Sequence, residues 1–443
     1  MKVVGLITEY NPFHNGHKYH IEEAKRVTGA DYVIAVMSGN FVQRGTPAVI
    51  DKYSRTEMAL RNGVDLVLEL PVCYATASAE FFALGAVSLL DKLGIVDALC
   101  FGSECGDITL IREAAQFLLH TPASFDTCLQ SFLKNGLPYP AARLKALEQS
   151  LEAVDNENRH ALSKVLTEPN NILGIEYVKA IYRLNSSMEP ITIHRILAHY
   201  HDNNLSDINK SNPDSSKVSG DEEADTSELV ISSATAIRGA IHQLNSNTNV
   251  SLSGVEYSVP DDVFRFLLEN HLKTYPICEE DFGQIIKYKL LAADRQSLTT
   301  YMDISGDLAD RMKNIPDFNL SISHLTQKIK TKNMTLTRIN RALIHLLLNI
   351  QTEPFVQYNQ TGYSAYARVL GIKKEATHLL RKIGIVGKIP IIIKVSNASK
   401  QLDDLGMRML SEDLFATHLY NQVVYIKYNN SLIDEFKHGI IIL

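Results

Sequence analysis

The chain has 443 residues, 45% of them apolar, with 44 Lys and Arg against 50 Asp and Glu and a formal net charge of −6. Such a length buries substantial cores and implies two or more domains. The acidic balance excludes a protein coated in nucleic acid but leaves room for a local basic surface. No apolar run approaches the roughly 20 residues of a transmembrane helix, and the start MKVVGLITEYNPF lacks the plan of a signal peptide, so a soluble cytoplasmic protein away from the membrane is expected. Cys73, Cys100, Cys105, Cys128 and Cys278 are odd in number and lack zinc-ribbon spacing, which reads as reduced thiols and no metal site.

Residues 3–7 read as a short apolar strand, followed by an irregular turn and a helix opening with His14, Gly16 and His17. The first turn of a helix leaves backbone N–H groups unpaired at the positive end of the dipole, so a polyanion such as ATP can settle there. His14 and His17 share a face, and Gly16 lets a phosphate approach the backbone. With 15 His and 23 Gly in the chain, H-x-G-H is expected by chance about 0.03 times, so its place after the first strand points to a working site.

A second strand over 32–37 makes a βαβ beginning. The loop SGNFVQRG, 38–45, then lies at the strand's carboxyl end, where open α/β sheets hold ligands. Lys52 and Arg55 follow on a helix, either to neutralise phosphate or as a solvated face. Strands over 65–70 and 98–101 flank an apolar helix over 79–93. Gly102 closes the last strand, as a backbone approach to a purine or a plain turn glycine.

Residues 108–166 show helical spacing and read as an insertion. Asn170 and Asn171 precede an amphipathic helix, one as an N-cap and the other with a free amide. The strand ITIHRIL contains Arg195, suited to phosphate or base by its planar fork. His199 and His201 lack a third metal ligand. Residues 202–229 are polar and acidic and read as a mobile loop. In ISSATAIRGAIHQL a serine caps a helix from which Thr235 and Arg238 project toward an anion.

Beyond 259 the pattern changes to amphipathic helices. Residues 324–352 contain no acidic residue. Lys328, Lys330 and Lys332 precede a helix with Ile339, Leu343, Leu346 and Ile350 on one side and Arg338, Arg341 and His345 on another. That basic stripe reads as contact with a phosphate backbone. Arg368, Lys373, Lys374 and Arg381 extend it, and PIIIKVS reads as a short strand.

The opening stretch resembles the HxGH signature of the nucleotidyltransferase superfamily, and GLITEYNPFHNGH with MSGNFVQRGTPAVIDKYSRTEMAL is similar to the bacterial tRNA(Met) cytidine acetate ligases. ISSATAIR resembles the second, ISxxxIR signature. The resemblance implies an α/β, Rossmann-like (HIGH-type) domain with a parallel sheet and helical insertion over 1–260, and a mainly helical tRNA-binding domain over 261–443. It implies ATP and Mg²⁺ as cofactors, and acetate and elongator tRNA(Met) as partners, with no obligatory protein partner. Acetyladenylate would form and acetylate N4 of the wobble cytidine.

By the same resemblance His14, His17, Ser233, Thr235 and Arg238 act on the phosphates. Ile7, Thr8, Glu9, Tyr10, Asn11, Pro12, Phe13, Asn15, Gly16 and His20 form the nucleotide-binding segment, with Gly102, Asn171 (Asn170 as fallback) and Arg195 contacting ATP. Lys328, Lys330, Lys332, Arg338 and Arg341 hold RNA. Glu9 is either a general base, a metal ligand or a turn carboxylate. A small-molecule adenylyltransferase and a non-catalytic RNA-binding protein remain open alternatives.

Overall fold

The computed structural model describes residues 1–120, 124–135, 137, 139–152, 159–195, 232–243, 254–315 and 319–443. The acidic stretch 202–229, His199 and His201 lie outside the described residues.

Ten strands form among the described residues: β1 (Val3–Thr8), β2 (Tyr32–Ser38), β3 (Phe41–Val42), β4 (Thr46–Pro47), β5 (Leu66–Leu70), β6 (Ala98–Ser103), β7 (Glu189–His194), β8 (Ala367–Ile372), β9 (Ile391–Ile392) and β10 (Ile441–Ile442). The main sheet runs β10-β8-β5-β2-β1-β6-β7, with β9 on β8, while β3 and β4 make a separate antiparallel hairpin. β1 pairs parallel with β2 from Val3↔Tyr32 to Thr8↔Met37 and parallel with β6 on its other side. Both faces are covered by helices, which is why β1, β2 and β5 are nearly continuous apolar runs rather than alternating ones. Strand order reverses at β1, because β2 and β5 lie to one side and β6 and β7 to the other. The crevice outside the carboxyl ends of β1 and β6 is therefore the switch point of the sheet.

The helices flanking these strands match the expected periodicity at Asn15–Thr28, Lys52–Arg61 and Ala79–Lys92. In the first, Ile21, Ala24 and Thr28 are buried, while Val27 is exposed. The described residues within 108–166 form four helices, Ile108–Leu119, Ser124–Lys134, Tyr139–Glu152 and Arg159–Val165. All five cysteines are free.

The parallel sheet β5-β2-β1-β6-β7 is as expected, and β8 adds an antiparallel strand beside β5. The break placed at residue 260 does not interrupt the sheet, since β8, β9 and β10 all come from the carboxy-terminal part. The long helix Asp404–Tyr428 also packs back on the amino-terminal part: Val72 N–H donates to Asp413 Oδ1 at 2.6 Å and Tyr420 OH to the Ala48 carbonyl at 2.9 Å. Sequence periodicity showed the helices of this region but not the pairing partner of a single short apolar strand among them.

Lys52 and Arg368 lie in this junction and face neither solvent nor phosphate. Lys52 Nζ pairs with Glu69 Oε1 at 2.7 Å and Glu435 Oε1 at 2.6 Å and donates to Thr417 Oγ1 at 3.0 Å. Arg368 pairs with the same two carboxylates. Two cations and two carboxylates, almost wholly buried, thus compensate one another.

Candidate active site

The turn after β1 presents the expected histidines. Tyr10 adopts a left-handed φ of 48° and Asn11–Pro12 is a cis peptide. Tyr10 and Phe13 are buried beneath the turn, their rings 4.9 Å apart, and His14 caps the helix with extended backbone. One helical turn on, the His17 ring stacks on His14 with centroids 3.7 Å apart. The His14 N–H donates to His17 Nδ1 at 3.3 Å. With Nδ1 accepting, a neutral His17 carries its proton on Nε2, ready to donate outward.

Both imidazoles are held neutral. Burial, with Arg195 and Arg238 nearby, pushes the His14 pKa down to about 3. Burial lowers His17 too, with His14, His20 and Arg195 adding to it. Burial and Arg195 bring His20 to about 4, and its buried Nε2 has no hydrogen-bond partner among the described residues. Three neutral imidazoles beside two guanidiniums form a site short of negative charge, the complement of a polyphosphate.

The cations come from two other elements. The helix Ala234–Gln243 is capped by Ser233, whose Oγ accepts from the Ala236 N–H at 3.1 Å. One turn along, Arg238 donates to the Asn11 carbonyl at 2.8 Å and to Thr235 Oγ1 at 3.1 Å. The second signature is thus locked to the first. Arg195, just past β7, donates to Asn170 Oδ1. Gly102 lies under it, and a Cβ there would stand 3.0 Å from Arg195 Cγ, so glycine leaves the arginine its place over the end of β6.

The chain is similar to known proteins over its whole length. Residues 1–435 match the family described as HIGH Nucleotidyl Transferase. A tRNA(Met) cytidine acetate ligase of Acetivibrio thermocellus is 37% identical over 100% of both chains, and one of Clostridium perfringens is 39% identical over 95% of both. The chain belongs to the tRNA(Met) cytidine acetate ligase family. A solved structure of Thermotoga maritima TmcAL bound with alpha-thio ATP has a TM-score of 0.83 at 30% identity, and the apo form 0.86 at 31%, each over 100% of both chains.

Not every residue assigned by the family resemblance reaches the crevice with a free side chain. Ile7 and Thr8 end β1, and Pro12 and Gly16 supply backbone. Asn15 donates to the Tyr257 carbonyl at 2.9 Å, and the Asn11 side chain accepts from the Val49 N–H at 2.8 Å. Asn171 is fully buried. Its Oδ1 accepts from the Glu104 and Cys105 N–H groups at 2.9 and 3.2 Å and its Nδ2 donates to Glu168 at 2.6 Å, so the amide is used in holding the loop after β6. Asn170, the fallback, is the one that meets Arg195. Glu9 accepts from the Gln43 N–H at 2.9 Å.

Arg55 is fully buried rather than free for phosphate. It donates to the carbonyls of Ile50 at 2.9 Å and Ser38 at 3.1 Å, and also to those of Glu9 and Gly39. One guanidinium thereby staples the loops that follow β1 and β2. Helical spacing could not separate this from a solvated face, because Lys52 and Arg55 are buried by the distant helix Asp404–Tyr428 and by strand-end carbonyls.

The basic stripe of the acetate ligase family member is only partly exposed. Lys328, Lys330 and Lys332 are exposed, and Lys328 and Lys332 edge a cleft of about 740 Å³ whose other walls include Asp307, Asp310 and Arg311. Arg338 makes no ion pair among the described residues. Arg341 pairs with Asp303 at 2.8 Å. His345 is wholly buried, its ring nitrogens each 3.1 Å from the Met302 and Thr76 carbonyls, so it does not belong to the basic face. Ile339, Leu343, Leu346 and Ile350 are buried as expected.

Proposed function

We propose that the protein is an ATP-dependent acetate:tRNA ligase that forms acetyladenylate and acetylates N4 of the wobble cytidine of elongator tRNA(Met), giving N4-acetylcytidine. The stacked, neutral His14–His17 pair between Arg195 and Arg238 at the switch point of the sheet carries this reading. Membership of the tRNA(Met) cytidine acetate ligases supports the choice of substrates over a metabolite acceptor. The cytoplasm, where ATP and tRNA meet, is the expected compartment.

In the first step an acetate oxygen bonds to the α-phosphorus as the bond to the β-phosphate oxygen breaks, releasing pyrophosphate. Charge repulsion between carboxylate and triphosphate is the main obstacle, so catalysis is chiefly electrostatic. His17 Nε2 and His14 donate to the α-phosphate and the departing oxygen. Arg238, held by the Asn11 carbonyl, faces the distal phosphates with Thr235 and the Ser233 cap. Neutral imidazoles donate without competing for the carboxylate as ion partners. In the second step the cytidine N4 bonds to the acetyl carbon, the bond to the AMP oxygen breaks, and an N4 proton is released. The cytosine has to be unstacked to present that amine.

The residues fit ATP: among the described residues the buried His20 Nε2 has no hydrogen-bond partner, and Arg195 and Arg238 stand near the imidazoles. Mg²⁺ would offset the charge of the triphosphate, and Glu9, which faces Arg238, is a carboxylate of this turn able to approach it. Residues 1–260 would handle ATP, and 261–443 would hold the tRNA through Lys328, Lys330, Lys332 and Arg338 while completing the sheet.

The test is to incubate the protein with ATP, Mg²⁺, labelled acetate and tRNA, digest the RNA and identify the labelled nucleoside by mass spectrometry. N4-acetylcytidine is expected. Label-free RNA, with AMP transferred to a small metabolite, would overturn the assignment.

A further inference from the structure

The hairpin β3–β4 is the element that touches both halves of the proposed machinery. On one side, the Gln43 N–H donates to the Glu9 carboxylate in the nucleotide turn at 2.9 Å. On the other, Gly45, at a left-handed φ of 74°, is pressed against the helix Leu336–Leu348, and a Cβ there would lie 2.3 Å from the Arg341 nitrogen. Any side chain at 45 would push that helix away. Between these two pinned residues stands Arg44, which is exposed and has no hydrogen-bond or ion-pair partner among the described residues.

Arg44 is close enough to Arg238 to make that guanidinium's charge harder to keep, after burial, while Glu9 and Glu279 act the other way. Arg338 stands unpaired one turn before Arg341 on the helix that Gly45 touches. Arg44 and Arg338 have no carboxylate partner among the described residues, which leaves both guanidiniums able to take up an anion. The carboxylates facing this region are Glu9, engaged by the Gln43 amide, Glu279, whose charge reaches Arg238, and Asp303, paired with Arg341.

We propose that Arg44 binds a phosphodiester of the RNA beside the reacting nucleotide, continuing the basic track of Lys328, Lys330, Lys332 and Arg338 to the mouth of the adenylate site. This rests on the proposed function. Arg44 lies between Gln43, which holds the nucleotide turn, and Gly45, which touches the Leu336–Leu348 helix, so it leaves the hairpin where the two elements meet. An exposed fork at the rim suits an RNA backbone better than the acetate or α-phosphate, which belong among the enclosed imidazoles.

The experiment measures equilibrium binding of an elongator tRNA(Met) transcript to the full chain over a salt series, for wild type, Arg44→Ala and Arg44→Lys, without ATP or acetate. Arg44→Ala is expected to weaken binding about five- to tenfold near 0.1 M salt and to lower the slope of log K against log salt by about 0.7 to 0.9, one phosphate contact. Arg44→Lys should restore the slope and only part of the affinity. Unchanged affinity and slope in Arg44→Ala would overturn the proposal. So would a rise in the KM for ATP, in acetate-dependent ATP–pyrophosphate exchange, matching the loss of tRNA affinity, because the anion would then be the triphosphate. A wild type that binds no tRNA would sink the proposed function itself, a result distinct from either.

Discussion

Acidification should unfold this protein through its own nucleotide site. His14 has a folded pKa of about 3 and His20 of about 4, against 6.5 for an unperturbed imidazole. In both cases burial is the first cause, with Arg195 adding to it. Below pH 6.5 the unfolded chain takes up protons that the folded site refuses, so stability falls as pH drops from about 6.5 toward the folded values. Above 6.5 both states are neutral and the effect vanishes. At pH 5.5 each such histidine costs about 1.4 kcal/mol, roughly 2.8 kcal/mol for the two, a large share of a typical folding free energy. His14→Asn isolates the effect, since asparagine is a preferred N-cap and should keep the helix start. Urea denaturation at pH 7.5 and 5.5 should show the variant losing about 1.4 kcal/mol less than wild type across that interval. An identical loss in the two proteins would refute the claim that His14 is buried and neutral.

Further outcomes follow from the same geometry. His17→Ala should lower acetate-dependent ATP–pyrophosphate exchange by about two orders of magnitude or more while circular dichroism stays unchanged. Lys52→Met leaves Glu69 and Glu435 facing Arg368 alone and should cost about 3–5 kcal/mol in denaturant titration, with part recovered by adding Glu435→Gln. Arg55→Met strips donors from the Glu9, Ser38 and Gly39 carbonyls and should destabilise by more than about 3 kcal/mol; Arg55→Lys should recover little of the exchange rate, because a point charge cannot span those carbonyls. Arg338→Ala with Lys332→Ala should weaken tRNA binding and reduce its salt slope by about 1.5, with a smaller effect on exchange. Arg341→Ala should instead show first in the melting temperature, through Asp303.

The sequence by itself determined the strand–turn–helix with His14 and His17, the capped helix carrying Arg238, and the apolar side of the Leu336–Leu348 helix. Each is local, set by periodicity of 2 or 3.6, by an N-cap or by a turn, and needs no distant partner to be read. Tertiary structure alone decided what the charged residues do. Lys52 and Arg55 had the spacing of a phosphate-facing pair, yet burial turned one into an ion-pair partner of Glu435, 383 positions away, and the other into a staple for backbone carbonyls. Asn170 and Asn171 are interchangeable as letters and were separated by which of them the loop after β6 covers. Arg341 and His345 share a helix with Arg338 but are taken up by Asp303 and by buried carbonyls. A side chain's charge is written in the sequence, but its dielectric surroundings and partners arise only when remote segments pack against it, and these settle whether it binds a ligand or holds the fold.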